Sequence, residues 1–252
     1  MTAGVAREFV YRDKKLGDKE AISVATTPDV FYPTSTTVLL LRAARRTLVH
    51  RPRSILDLGC GCGIVAVVLA KCLPPSGVRV CASDLSASAV RLAVQNASRN
   101  AVEVDCRRGS LFEPWPGALF DLIVDDVAGV AEPLAGVSGW YPEGVPSDAG
   151  RDGTRWILDV LAQAPDHLAP GGRFIFPVLT LSRESAVLDR ARARFATVEL
   201  VEEQWYPLTE EILGHFPLVE ELVADGSIRL EKRGSRWCWA TLVYSATGRA
   251  RT

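Results

Sequence analysis

The sequence predicts an α/β fold in which a doubly wound, mainly parallel β-sheet is covered by helices on both faces. Short runs rich in β-branched residues alternate with amphipathic stretches along most of the chain, and this alternation is typical of such sheets. A chain of 252 residues with 48% hydrophobic residues is large enough to bury one extensive core. We therefore expect one main domain.

The individual elements follow from composition and capping signals. The expected strands are 54–59, 79–84, 102–108, 120–126 and 173–178. The expected helices between them are 64–73, 86–100 with Ser86 as its N-cap, and 153–168. In the last third we expect a helix at 184–195, an edge strand at 196–208, a helical insertion at 209–226 and a closing strand at 236–246.

The chain shows no linker or internal repeat that would divide it. We expect residues 1–50 to form an N-terminal cover and substrate gate on the main domain. Residues 51–252 are expected to form that domain, including the helical insertion at 209–226.

Charge and composition bear on partners and location. Lysine and arginine number 29 against 30 aspartate and glutamate, without a long block of like charge, so we expect no nucleic-acid partner. No stretch is long and apolar enough to span a bilayer or to act as a signal peptide. The six cysteines lack zinc-site spacing and are expected to be reduced core residues of a cytoplasmic protein.

A glycine-rich stretch, DLGCGCGIVA, joins the first expected strand to a helix. Gly59, Gly61 and Gly63 would let the backbone approach a ligand closely, and Asp57 adds a carboxylate at the strand end. The spacing also satisfies the GxGxxA pattern of dinucleotide sites, with Asp84 about 20 residues further on. The glycines alone therefore leave a dinucleotide site and a nucleoside site open.

Four motifs in order carry a resemblance to a known family. The runs ILDLGCGCG, ASDLS, AVQNASRNAVEVDCRRGSLFEPW and FDLIV resemble those of the class I methyltransferases that bind S-adenosylmethionine. The resemblance implies a Rossmann-like, seven-stranded sheet whose last strand is antiparallel, with S-adenosylmethionine as the cofactor. We assign no metal ligand among the candidate residues, and the sequence leaves open whether the reaction needs a metal.

The same resemblance assigns residues to the cofactor. Asp57 and the glycines would border the methionine moiety, and Asp84 would hold both ribose hydroxyls, since a carboxylate can accept two hydroxyl hydrogen bonds from a diol. The adenine would lie against the turn GSLFEP, where this chain has Ser110 instead of the usual acid. The full set of cofactor-binding candidates is Asp57, Gly59, Gly61, Gly63, Asp84, Leu85, Ser110, Leu111 and Asp125.

Residues 29–180 further resemble the HemK type of glutamine N5-methyltransferase. In those enzymes an Asn-Pro-Pro-Tyr motif after the fourth strand holds the planar nitrogen that is methylated. Here Asp126, Val127, Ala128 and Gly129 stand in its place. Ionised Asp126 only accepts hydrogen bonds, whereas an amide side chain also donates. We therefore reject a release-factor glutamine and expect a small-molecule substrate, with a nitrogen slightly preferred over oxygen or carbon.

Four residues are candidates for catalysis. Asp125 and Asp126 could hold an N–H group and take its proton, or could bind a metal that a catechol-like substrate shares, although one of them could instead cap the following turn. Tyr32 corresponds to a position near the family's substrate gate, where Thr37 matches a threonine common in the family; a buried structural tyrosine is the alternative. His215 lies in an expected lid. Trp140–Tyr141 and Trp205–Tyr206 could line an apolar pocket.

Other functions on this fold remain open at this stage. A dinucleotide-binding oxidoreductase would bind a nicotinamide cofactor tightly. An enzyme that breaks a different sulfonium bond would release methylthioadenosine. A non-catalytic relative would form a stable complex with another chain. The sequence gives no oligomeric state.

Overall fold

The computed structural model describes residues 7–13, 21–74, 77–141, 145 and 148–250. Parts of the expected N-terminal cover, residues 1–6 and 14–20, lie outside this range. The strands are β1 (Arg7–Tyr11), β2 (Ile22–Thr26), β3 (Ser54–Leu58), β4 (Arg79–Asp84), β5 (Asp105–Arg108), β6 (Phe120–Asp125), β7 (Leu168–Leu179), β8 (Phe195–Pro207), β9 (Glu231–Arg233) and β10 (Arg236–Arg249). The helices are α1 (Ser35–Thr47), α2 (Ile64–Lys71), α3 (Ala87–Arg99), α4 (Glu132–Val137), α5 (Arg155–His167), α6 (Glu184–Arg194), α7 (Glu210–Leu213) and α8 (Phe216–Ala224).

The main sheet has the predicted topology. Seven strands lie in the order β5-β4-β3-β6-β7-β10-β8, and the short β9 adds an eighth beside β10. Strands β3 to β7 pair in parallel, whereas β10 is antiparallel to both β7 and β8. The Rossmann-like class I fold with an antiparallel last strand is therefore confirmed.

Strands β5 and β7 begin several residues away from their expected starts. Strand β5 begins at Asp105 rather than 102, because the N–H of Val102 donates to the carbonyl of Ala97 and so completes the end of α3. Strand β7 begins at Leu168, directly after α5, and includes the Pro170–Gly172 stretch. A register shift in the pairing of β6 with β7, between Phe120 and Leu122, accommodates this stretch in the sheet.

Helices cover both faces of the sheet, since both faces carry apolar side chains. On one face α1, α2 and α3 bury an aliphatic cluster, in which α2 contributes Ile64 to Leu69. On the other face α5 and α6 pack over an aromatic cluster that includes Phe174 and Phe176. The predicted N-cap of α3 is confirmed, because Ser86 Oγ accepts from the N–H of Ala89 at 3.3 Å.

The residues before β3 pack against the main sheet, and the first turn of α1 lies at the edge where the parallel strands end. Strands β1 and β2 form a separate antiparallel pair, and α1 contacts α2, β7, β8 and β10. Thr34 and Thr37 form a capping box that fixes the first turn of α1. Buried Thr36 also contacts Thr241 of β10, with 2.9 Å between their hydroxyl oxygens.

The expected insertion at 209–226 consists of two short helices. Gly214 and His215 separate α7 from α8, and Pro217 lies in the first turn of α8. Together with α4 these helices bury a third apolar cluster that includes Trp239. No helix in the described part of the chain is long and apolar enough to cross a membrane. All six cysteines are free.

Candidate active site

A cavity of about 460 Å³ opens where β3, β4, β6 and β7 reach their carboxyl ends. Leu58 of β3 pairs with Ser83 of β4 on one side and with Asp125 of β6 on the other. The next residues, Asp84 and Asp126, therefore flank the end of β3, as expected at the ligand-binding edge of a doubly wound sheet.

The glycine-rich loop between β3 and α2 forms one wall of this cavity. Gly63 has φ +80°, and an added Cβ would lie 2.8 Å from the Cβ of Ala93, so α3 can pack closely only against glycine. Gly61 has φ +51°, and a Cβ built on it would meet only the carbonyl oxygen of Phe31, at 3.8 Å. The backbone is thus open to a ligand at Gly61 and closely packed at Gly63.

Asp84 orders this loop with its carboxylate. Its Oδ2 accepts from the N–H of Gly61 at 2.9 Å, and its Oδ1 accepts from the N–H of Ser86 at 2.8 Å. Burial raises the pKa of Asp84, and the two backbone donors counteract part of that rise. Each oxygen retains a lone pair, so the carboxylate can accept two further hydrogen bonds from a diol.

Asp57 lies at the base of the cavity and is completely buried. Its Oδ2 accepts from the N–H of Ala66 at 3.0 Å, whereas its Oδ1 has no hydrogen-bond partner. Burial raises the pKa of Asp57 well above its ordinary value. This buried oxygen requires a hydrogen-bond partner that the described protein atoms do not supply.

A second wall follows β4 and β5. Leu85, Ser110 and Leu111 all line the cavity, and Leu85 is 48% exposed. The hydroxyl of Ser83 donates to the carbonyl of Leu111 at 3.2 Å and holds this turn against β4. We call one part of the cavity the loop half. It is lined by the glycine loop, Asp57, Asp84, Leu85, Ser110 and Leu111.

Asp126 also faces the cavity and is tied to α1. The hydroxyl of Thr37 donates to Asp126 Oδ2 at 2.8 Å. Burial raises the pKa of Asp126 to about 6, and the hydrogen bond from Thr37 acts in the opposite direction. Its charge also contributes to raising the pKa of both Asp57 and Tyr141, so it lies near both the loop half and the opposite wall.

That opposite wall is aromatic, and we call it the aromatic half. It comprises Phe31, Trp140, Tyr141, Trp156, Tyr206 and Trp239. The ring of Trp239 lies 4.9 Å from that of Tyr206 and 5.6 Å from that of Trp140, measured between centroids. Trp140, Tyr141 and Tyr206 were predicted as lining residues, whereas Trp205 lies outside the cavity beneath the guanidinium of Arg233.

Three of the candidate residues lie elsewhere. Asp125 is buried but does not line the cavity, and its Oδ1 is unpartnered. It accepts a hydrogen bond from the backbone of Val127, as expected for an acid that caps the following turn. Tyr32 is 41% exposed, and its ring packs edge-on against Phe9. His215 is exposed at the start of α8. Successive side chains along a strand point to opposite sides, so Asp125 at the end of β6 points away from the side on which the next residue, Asp126, lines the cavity.

Sequence reasoning missed Asn96 as a positioning residue. Its Nδ2 donates to the carbonyls of Cys62 and Ala25, and its Oδ1 accepts from the N–H of Ala25. It therefore links the glycine loop to β2. The available signal was an asparagine on the apolar face of an amphipathic helix, where it is buried and so requires partners. In the described part of the chain, no three His, Cys, Asp or Glu side chains are grouped to hold a metal.

Comparisons with known proteins agree with this geometry. Residues 22–126 match the family model of the methyltransferase small domain. A release factor glutamine methyltransferase of Geobacter sulfurreducens is 34% identical over 165 residues, 62% of this chain and 56% of that protein. Ribosomal RNA small subunit methyltransferase C of Alcanivorax borkumensis is 30% identical over 162 residues, 63% of this chain and 42% of that protein. The chain thus spans about half the length of these curated relatives.

One solved structure has the same fold over nearly the whole chain. It is the T. thermophilus 16S rRNA N2 G1207 methyltransferase in complex with AdoMet and guanosine, with a TM-score of 0.57 and 17% identity. The match covers 96% of this chain and 51% of that one.

These findings correct two expectations. A small-molecule substrate was wrong, because the relatives are named for a protein glutamine or for ribosomal RNA. The exclusion of a nucleic-acid partner was wrong for the same reason. A net charge near zero does not exclude local contacts with RNA. The resemblance itself is confirmed: residues 22–126 match the methyltransferase small domain, and the chain is similar to S-adenosylmethionine-dependent methyltransferases such as the release factor glutamine methyltransferase of Geobacter sulfurreducens.

Proposed function

We propose that this protein is an S-adenosylmethionine-dependent methyltransferase that acts on the exocyclic amino nitrogen of a base in RNA. The observation that carries this proposal is Asp126, a hydrogen-bond acceptor that faces the aromatic half of a cavity whose other half fits a nucleoside cofactor.

The loop half suits the cofactor. Asp84 would accept from both ribose hydroxyls, and Leu85, Ser110 and Leu111 would border the adenine. Asp57 and the glycine loop would border the methionine moiety, where the unpartnered Oδ1 of Asp57 offers an acceptor to the amino group. Bound there, S-adenosylmethionine supplies an electrophilic methyl group.

Asp126 would hold and orient the nucleophile. With a pKa of about 6, it is mainly ionised at neutral pH. Thr37 occupies Oδ2, so Oδ1 remains to accept from the N–H of an amino group. As the nitrogen gains positive charge during methyl transfer, the same oxygen is available to take its proton. Orientation and proton removal are the two contributions that this reaction needs from the protein.

An ionised carboxylate discriminates between amino groups and amides. A base amino group presents only N–H donors, and in guanine the neighbouring ring N–H is a donor as well. A glutamine amide presents a carbonyl oxygen beside its NH₂ group, and a carboxylate cannot donate to that oxygen. Asp126 therefore favours the base.

The aromatic half supports the same choice. Trp140, Trp156 and Trp239 offer flat apolar surfaces in a cavity wide enough for a ring. Proteins recognise unpaired RNA bases by stacking them on aromatic side chains, and enzymes that modify bases take them out of the helix into a pocket.

A glutamine side chain in a protein is the second candidate, favoured by 34% identity to a release factor glutamine methyltransferase. That reaction would require Asp126 in its protonated form, which can donate to the amide oxygen. Methylation of an RNA base should therefore be faster above the Asp126 pKa of about 6, and methylation of a glutamine should be faster below it.

The proposal includes three further expectations. Residues 1–50 act as a cover and gate, since α1 brings Thr37 to Asp126. Residues 51–252 form the methyltransferase domain with the insertion at 209–226. The location is cytoplasmic.

The test is methyl transfer from tritiated S-adenosylmethionine to two acceptors, unmodified ribosomal RNA made by transcription and unmodified release factor. We expect label in RNA, in a methylamino nucleoside identified by mass spectrometry after digestion. Asp126→Asn should lower the rate at least about tenfold and leave cofactor affinity unchanged. Label found only in a protein glutamine, with Asp126→Asn equally or more active, would establish the second candidate. Label in neither acceptor would refute both.

A further inference from the structure

A second cavity, of about 330 Å³, lies at the opposite edge of the sheet, where β3 and β6 begin. It is separate from the candidate active site, which lies where the same strands end. Its described lining residues include Arg51, Arg53, Asp121 and Arg173.

Three arginines line this cavity, which we call the basic cleft. Among the described residues, Arg51, Arg53 and Arg173 form no ion pair with an acid; Arg173 donates from Nη1 to the hydroxyl of Ser245 at 3.0 Å. Arg51 follows the 3₁₀ turn Leu48–His50, Arg53 directly precedes β3, and Arg173 lies in β7. Cations that merely stabilise a helix C-terminus would lie in its last turn, which does not account for Arg53 or Arg173.

The acid in the cleft is already engaged. Asp121 Oδ2 accepts from the N–H groups of Arg53 and Ser54, at 2.7 and 3.0 Å, and from the hydroxyl of Ser54 at 3.1 Å. With histidine neutral, the lining carries three positive charges against one negative charge. The sequence from 30 to 56, which includes this turn and α1, contains five arginines and no acid.

We propose that the basic cleft binds a phosphate group. Planar guanidinium groups with free N–H donors match phosphate oxygens in paired hydrogen bonds. The phosphate comes either from an RNA backbone or from free phosphate. An RNA strand could reach both cavities, because α1 begins at the first and ends near the second, about 20 Å away for its 13 residues.

The test compares the double variant R51Q/R173Q with R190Q/R192Q. The control loses the same charge from exposed positions on α6 that line neither cavity. Circular dichroism melting checks that both variants fold. Binding of inorganic phosphate is measured by calorimetry, and binding of a fluorescein-labelled single-stranded RNA by anisotropy at several salt concentrations.

Each arm has a distinct outcome. We expect R51Q/R173Q to bind phosphate at least fivefold more weakly than the wild type, with R190Q/R192Q unchanged. If the source is RNA, RNA binding also becomes less sensitive to salt. The slope of the logarithm of the RNA binding constant against the logarithm of salt concentration falls in magnitude by about 0.7 for each lost contact. If the source is free phosphate, RNA binding stays unchanged. The proposal is overturned if the wild-type protein binds neither probe, or if both variants behave alike. These readouts do not involve methyl transfer.

Discussion

Thr37 and Asp126 are joined by a hydrogen bond of 2.8 Å, which connects the first turn of α1 to the end of β6. The same Thr37 hydroxyl accepts from the N–H of Thr34 at 3.3 Å as part of the capping box. The N-terminal helix therefore sets both the position and the charge state of the acid in the candidate active site.

Replacing Thr37 should shift the pH dependence of methyl transfer. The hydrogen bond from Thr37 favours ionised Asp126, so Thr37→Val should raise the pKa of Asp126 above about 6. If the ionised form is the active one, the acidic limb of the profile of kcat/KM moves to higher pH. Thr37→Ser should restore it.

The control for this experiment is Thr36→Val. It removes a buried hydroxyl from the same turn, but that hydroxyl contacts Thr241 rather than Asp126. An equal shift of the pH profile in Thr36→Val would show that helix packing, not the hydrogen bond to the acid, controls the titration.

Asp84→Ala should weaken the binding of S-adenosylmethionine. Hydrogen bonds to a charged group contribute about 1.5–3 kcal/mol, which corresponds to about a tenfold to hundredfold loss of affinity by calorimetry. Asp84 also accepts from Gly61, so part of the loss reflects a less ordered loop. Asp105→Ala, which removes an exposed carboxylate paired with Arg107, is the control. Unchanged affinity in Asp84→Ala would contradict the assignment of the ribose.

Two glycines with similar backbone angles should respond differently to alanine. Gly63 has φ +80° and no space for a Cβ, whereas Gly77 has φ +95° and nothing within 4 Å of a built Cβ. Gly77→Ala should cost about 1–2 kcal/mol of unfolding free energy from backbone strain alone. Gly63→Ala should cost more, because α3 must also move. Equal losses in urea titrations would show that the contact with Ala93 relaxes freely.

The buried acids should make the protein less stable as pH rises. Asp126 has its pKa raised from 3.8 to about 6, and the pKa values of Asp57 and Asp125 are raised well above 3.8. Between their unfolded and folded pKa values these groups are protonated in the native state and ionised in the unfolded state. Unfolding then releases protons, so the unfolding free energy falls as pH increases.

This effect is measured by urea unfolding between pH 4 and pH 8. Two pKa units correspond to about 3 kcal/mol for Asp126, and its partial exposure to the cavity reduces that figure. Asp126→Asn should flatten part of the fall between pH 4 and pH 6, and the part that comes from Asp57 and Asp125 should remain. A stability that rises with pH over this range would show that these acids are ionised and well solvated in the native state.

The sequence was sufficient for the sheet, the glycine loop and the ligand-binding edge. Strand and helix periodicity are local properties, and the sequence order of Asp57, Asp84 and Asp126 at strand ends brings them to one edge once the strands are parallel. Local rules also gave the N-cap of α3. The antiparallel final strand followed from the family resemblance.

Tertiary structure decided which of these residues share the cavity. Residues far apart in sequence meet there: Thr37 contacts Asp126, and the aromatic half is assembled from α5, β8, β10 and the loops before α1 and after α4. Neither the separation of Asp125 from Asp126 nor the exposure of His215 follows from residue type. FDLIVDD fixes two adjacent acids by sequence alone, but strand alternation and packing against α1 leave only Asp126 facing the cavity, with its pKa set by burial and by Thr37.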